Sequence, residues 1–253
     1  MYFKLLLMQL LTFSSASVIN LDEDNLVSIK GVIDKDTSNK FFSDLKDFTS
    51  DSLDIFITSP GGSVMEGMKM IDYIKTLQNM NVEVNCYGDF AASMAFVILQ
   101  SCSNRYAMES SILMQHQMSL GLSGPIENIK SYFKMIQDIE NKLNYDQAKR
   151  IGLTSDEFNR KIFNDWWISG TTAVSENIVD KLVDVKCSSK LVKEKNTVKH
   201  ETFFGTVKYV FSKCPLVRNP IKIDISDYDG DISELNMFDS KNYISKIKTV
   251  NHL

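Results

Sequence analysis

The sequence predicts an α/β fold with right-handed crossovers, and three observations carry that prediction. Short apolar runs of strand character alternate with amphipathic segments of helical period along the first 185 residues. The run "LDIFIT" is continuously apolar, as in a sheet covered on both faces. Two Ser/Thr-x-x-Glu capping boxes mark helix starts between the runs.

The elements follow in order. "NLVSIKGVI" (25–33) reads as a strand and "TSNKFFSDLKDF" (37–48) as a helix with Phe41, Leu45 and Phe48 on one face. "LDIFIT" (53–58) is the second strand. After "SPGG", the stretch "SVMEGMKMIDYIKTLQ" (63–78) opens on the pair Ser63 and Glu66, with Met68, Ile71, Ile74 and Leu77 as its buried stripe. "VEVNCY" (82–87) is a third strand, the following "YGD" is turn-like, and a helix runs through "AASMAFVILQS". "RYAM" and "SILMQH" read as two further short strands. Gly124 to Arg150 is a long amphipathic stretch, with Ile129, Phe133, Ile136 and Leu143 near heptad spacing, which packs either on the body or on another subunit. Thr154 and Glu157 open the next helix, and "GTTAVSENIVDKLVDV" supplies a last short helix and strand.

With 253 residues, 43% hydrophobic and 24% charged, the chain has enough apolar material for one sizeable domain and an appendage. Lys and Arg number 16 against 24 Asp and Glu in residues 1–185, and 12 against 8 in 186–253. An acidic body with a mildly basic tail gives no argument for nucleic-acid binding. The first 17 residues have one Lys, an apolar stretch from Leu5 to Phe13 and then small polar residues, the layout of a secretory signal peptide with cleavage near Ala16 or Ser17. The alternative is a hydrophobic arm that packs on the body or a neighbour. The expected division is therefore a leader or arm at 1–17, a body at 18–186 and an extension at 187–253.

Cys86, Cys102, Cys187 and Cys214 show no C-x-x-C spacing, and His116, His200 and His252 are scattered, so no metal site or cofactor is expected. Cys86, in an apolar run, reads as a buried structural thiol. Cys187 and Cys214 are able to pair in an oxidising compartment, although spacing does not establish it. "DISDYDGDISEL" (224–235) is not an EF-hand loop. With Gly230 in sixth place, Ile225 and Asn236 occupy the positions of the first and last ligands.

Three local features bear on chemistry. "SPGGS" (59–63) joins a strand to a helix, either as a tight turn or as a place where backbone N–H groups meet an anion. Ser93, in "FAASMAF", sits at a helix start, where free N–H groups and the dipole favour developing negative charge; it is either a nucleophile or an ordinary helix-start serine. His116 closes an apolar strand, as a base or a structural histidine, and Asp165 lies among aromatics in "FNDWWIS", as a desolvated carboxylate or a loop aspartate.

Together these segments resemble the proteolytic subunit of the Clp protease, a self-compartmentalised serine peptidase, from about Leu26 to Val185. The resemblance is carried by "ITSPGGSVMEGMKMIDYI", "CYGDFAASMAF", "RYAMESSILMQHQ" and "DWWISGTTAVSENIVD", in the family's order. It implies the spiral ββα fold shared with crotonases, Ser93 as nucleophile, His116 as general base and Asp165 as its orienting partner. It further implies oxyanion-hole amides from Gly61 and Met94, and a handle helix at Gly124 to Arg150 that joins two rings. Substrates would be peptides or unfolded proteins, and partners would be copies of the chain and an ATPase unfoldase.

This chain departs from the family at Ala95, where Gly is usual, at an extra Asp89–Phe90 step, and at Met118, where Pro usually follows His-Gln. The segment before the first strand is short for axial loops that would contact an ATPase. Two other readings stay open: a catalytically silent scaffold subunit, and an enzyme of the signal-peptide-peptidase-A or crotonase type.

Overall fold

The computed structural model describes residues 17–230. The leader-like segment lies outside the described residues except for its last residue, Ser17. There, strand β1 (Ser17–Leu21) begins, and it pairs in parallel with a strand more than 160 positions later, Ser17 opposite Val183. β2 (Leu26–Lys30) leads to α1 (Lys35–Asp44), capped by the Asp34 carboxylate, which accepts the Thr37 N–H at 2.9 Å. Phe41 and Leu45 of the expected face are buried. β3 (Ser52–Ser59) ends at the "SPGG" turn, and α2 (Val64–Asn79) follows. Ser63 caps α2 by accepting the Glu66 N–H, while the Glu66 carboxylate pairs with Lys69 instead of closing the expected box. Its buried stripe is Met70, Ile71, Ile74 and Leu77, with Met68 only half-buried.

β4 (Glu83–Ala92) is longer than expected, because the turn-like "YGD" continues as strand and α3 (Met94–Ser101) starts only after Ser93. β5 (Asn104–Gln115) merges the two short strands expected there. α4 (Ile126–Ile151) and α5 (Ser155–Ile162) follow, the latter opened by a complete capping box of Thr154 and Glu157. β6 (Trp166–Ser169), the single turn α6 (Gly170–Ala173) and β7 (Lys181–Cys187) complete the sheet in the order β1-β7-β5-β4-β3-β2, with β6 paired to β5. Only the β5–β6 pairing is antiparallel in this sheet.

Alternation along β3 shows why a continuous apolar run is required. Ile55 and Ile57 face the helices and pack with Ile71, Ile74, Phe96 and Leu99, whereas Phe56 faces the other way, with Tyr87, Val183 and Leu191. The second face is covered by the C-terminal segment. α7 (Ser189–Lys193) contributes Leu191, and Cys214 and Val217 pack beside it. β8 (Lys195–Thr202), β9 (Gly205–Ser212) and β10 (Lys222–Tyr228) form a separate antiparallel sheet. The aromatic stretch 201–211 is thus a hairpin, with Phe203 95% exposed at its turn.

All four cysteines are paired, Cys86 with Cys102 and Cys187 with Cys214, each at a Cα separation of 5.9 Å. This corrects the reading of Cys86 as a free buried thiol. β4 and the end of α3 bring two sulfurs together that are 16 positions apart, a proximity local sequence does not encode.

α4 divides into two halves. Ile136, Ala148 and Ile151 are buried against the body, but Ile126 is 70% exposed and Tyr132, Phe133 and Met135 are more than 40% exposed. Among the described residues, no helix is long and apolar enough to cross a membrane.

Candidate active site

Ser93 joins β4 to α3 in a backbone conformation of φ 55° and ψ −123°, where a side chain is strained. Its N–H donates to the Met114 carbonyl of β5 at 2.9 Å, and its carbonyl accepts from Phe96 and Val97, which fixes the elbow between strand and helix. The hydroxyl makes no capping bond to α3. It lies instead 2.8 Å from Nε2 of His116, the residue after β5. With the ring proton on Nδ1, Nε2 accepts the Ser93 O–H. A helix-start serine would cap its own helix; this one is turned away from it.

His116 is held from α4. Its N–H donates to Gln115 Oε1 at 3.1 Å, and Gln115 Nε2 donates to Gln147 Oε1, both amides being buried. The next residues are tied as well. Gln117 Nε2 donates to the Phe163 carbonyl, and the Met118 N–H donates to Glu140 Oε1 at 3.3 Å. Proline at position 118 would have no N–H for that bond, so the departure from the family pattern has a partner on α4.

The glycine turn lies directly against the elbow. A Cβ placed on Gly61 would stand 2.6 Å from the Ala92 oxygen, 2.7 Å from Ser93 Cβ and 2.8 Å from Met94 N. The Gly61 N–H, expected to face an oxyanion, donates here to Ser59 Oγ at 3.0 Å. Among the described residues, the Gly62 and Met94 amides donate to nothing. Proximity in sequence could not separate the two glycines; only the Ser59 side chain does.

Asp165 precedes β6 and is exposed, and among the described residues it makes no hydrogen bond. The flanking aromatics do not desolvate it. Trp166 turns inward to Phe96 and Phe158, with Lys161 over its ring, while Trp167 is 48% exposed. The structure brings Ser93, His116, Met94 and the glycine turn together and leaves Asp165 on the loop before β6.

Two carboxylates away from the elbow have shifted protonation. Burial pushes Asp54 up, opposed by hydrogen bonds from Asn85, Tyr87 and Asn25. For Asp180, burial also acts upward, but hydrogen bonds and charge from Arg105, with the charge of Arg150, outweigh it and hold the carboxyl below its ordinary value. Among the described residues, the only cluster of metal-type ligands is Asp22, Glu23 and Asp24, an acidic turn already neutralised in part by Lys190.

A mainly parallel α/β domain that presents a serine–imidazole pair on a strand–helix elbow, beside free amides, has the layout of an acyl-transfer enzyme. Residues 13–186 match the Clp protease family, and the chain belongs to that family. The α/β architecture is consistent with the Clp protease fold, and membership supports a Clp-like peptidase as the general class.

Proposed function

We propose that the protein is a serine endopeptidase in which Ser93 attacks the peptide carbonyl, His116 is the general base and Asp165 orients the imidazole. The observation that carries this reading is the 2.8 Å contact between Ser93 Oγ and His116 Nε2 at a strained elbow. An unassisted serine hydroxyl is a poor nucleophile at neutral pH, and the imidazole takes its proton as the C–O bond forms. The resulting imidazolium protonates the leaving amine, and water then hydrolyses the acyl-enzyme by the same route. The amides of Met94 and Gly62 hold the oxyanion, each donor being worth about 3 kcal/mol in such sites. In this reading the Asp165 carboxylate, exposed on the loop before β6, pairs with Nδ1 in the working enzyme.

Peptides or unfolded chains are the substrates. The exposed apolar half of α4 supports assembly with copies of the chain into rings. Residues 18–186 form the catalytic unit, 187–253 an extension and 1–17 a leader or a hydrophobic arm; the two disulfides support the secretory route.

The test is fluorophosphonate labelling followed by peptide mapping, with label on Ser93 expected, and its absence from Ser93 sinks the reading. Ser93→Ala and His116→Ala should each abolish cleavage, since such groups act as a unit. Asp165→Asn should lose about a hundredfold or more, by stabilising the wrong tautomer. A second reading, a catalytically silent subunit, is favoured by the unengaged Asp165, and an unlabelled but assembled protein would select it. The imidazole partner of Ser93 speaks against a Ser–Lys enzyme of the signal-peptide-peptidase-A type.

A further inference from the structure

The extra Asp89–Phe90 step is a bulge, and the C-terminal extension holds it. In the β3–β4 ladder Ile57 pairs with Gly88 and Thr58 with Phe90, and in the β4–β5 ladder Gly88 pairs with Ala107 and Phe90 with Ile112. Asp89 is skipped by both registers, so side-chain contacts rather than the ladders determine where it sits. Those contacts are few and specific. Its carboxylate is only 9% exposed, accepts the Thr58 hydroxyl at 3.1 Å, and meets Nη2 of Arg218 through both oxygens at 2.8 and 2.7 Å.

Both partners lie on segments that lead into the site. Asp89 stands four residues before Ser93, and Thr58 immediately precedes Ser59, whose hydroxyl holds the Gly61 N–H. Arg218 is four residues after Cys214, and the Cys187–Cys214 bond and the packing of Val217 fix its segment on the outer face of the sheet. Arg218 is itself 68% exposed, so without it the largely buried Asp89 carboxylate loses its charge partner on the solvent side, and a shift of Asp89 toward water would redirect the end of β4.

We propose that Arg218 is a positioning residue for the Ser93 elbow. Through Asp89 it pins the β4 bulge and the Thr58 end of β3, so the extension belongs to the catalytic architecture. This rests on the reading of Ser93 as the nucleophile.

The test uses the full chain with Arg218→Met, which keeps an apolar stem and removes the charge, and Arg218→Lys, which can restore a single nitrogen at the carboxylate. Arg218→Met should slow fluorophosphonate labelling of Ser93 and lower kcat by about tenfold with KM unchanged, the scale of a small misplacement of a reacting group. Arg218→Lys should recover most of both. Rates within about twofold of the parent in Arg218→Met overturn the proposal, because a positioning effect must appear in kcat. So does a loss accompanied by faster hydrogen exchange throughout β8 and β9, which would mean that the extension had merely come loose. If the parent protein takes no label, the peptidase reading fails separately, and exchange at residues 88–94 decides this one. Faster exchange there in Arg218→Met than in the parent and in Arg218→Lys supports it; equal exchange overturns it.

Discussion

The hydroxyl of Ser93 lies 2.8 Å from Nε2 of His116, at the meeting of two parallel strands whose ends are fixed by different parts of the molecule. Ser93 is placed by a strained elbow, and His116 by a buried amide pair that reaches α4. The pair therefore joins the sheet to the helix whose outer half is exposed.

The strain at Ser93 gives a stability prediction separate from activity. Glycine adopts φ 55°, ψ −123° far more readily than a residue with a Cβ. Ser93→Gly should be more stable than Ser93→Ala by about 1 kcal/mol, after allowing for the greater chain entropy of glycine when unfolded. Both should be inactive. Urea midpoints that place Ser93→Gly below Ser93→Ala would show that the elbow stores no strain.

Gly61 has no room for a side chain, and the atoms it would strike are backbone or Cβ, which do not move aside. Its φ of 90° adds a second penalty. Gly61→Ala should cost about 3 kcal/mol and remove labelling of Ser93. Gly121 is the control: a Cβ added there would meet nothing within 4 Å, and Gly121→Ala should be close to neutral. Equal thermal midpoints for the two variants would refute the crowding argument.

Arg105 is 1% exposed and is held by Asp180, Gln100 and Asn177. Removing the carboxylate leaves a buried cation without its counter-charge, so Asp180→Ala should cost about 3 kcal/mol at neutral pH. The pH dependence follows from the direction of the shift. The folded-state value of Asp180 lies below 3.8, so its stabilisation is complete above pH 3.8 and is lost as pH falls through the folded value. The difference between parent and variant should shrink over that acidic window. A difference that stays constant down to the lowest pH at which the parent folds would contradict it.

The exposed apolar half of α4 predicts assembly through that helix. Tyr132→Glu combined with Phe133→Glu should reduce the mass measured by light scattering, with helix content retained, because both side chains are more than 40% exposed on the single chain. An unchanged mass would place the assembly surface elsewhere. A parent protein that is a folded monomer at micromolar concentration would remove the ring altogether.

Much of the fold was legible locally. Thr154 and Glu157 announce α5, the apolar stripe announces α2, and continuous apolar runs announce β3 and the start of β4, because capping, helical period and burial on both faces are properties of neighbouring residues. The candidate site was legible in its parts, since a family pattern pointed to Ser93 and His116. What escaped was decided by partners far along the chain. β1 has strand form through β7, "YGD" is strand because β3 and β5 flank it, and Cys86 is bridged because α3 returns beside it.

The sequence by itself determined the α/β alternation, the starts of α2 and α5 and the residue types that make acyl-transfer chemistry available. Tertiary structure alone decided which glycine keeps a free amide, that Asp165 stands in solvent and that Arg218 reaches the bulge before Ser93. The physical reason is range. Backbone periodicity and caps act over three or four residues, whereas a hydrogen bond between Arg218 and Asp89 spans 129 positions and exists only once two faces of a sheet have been covered.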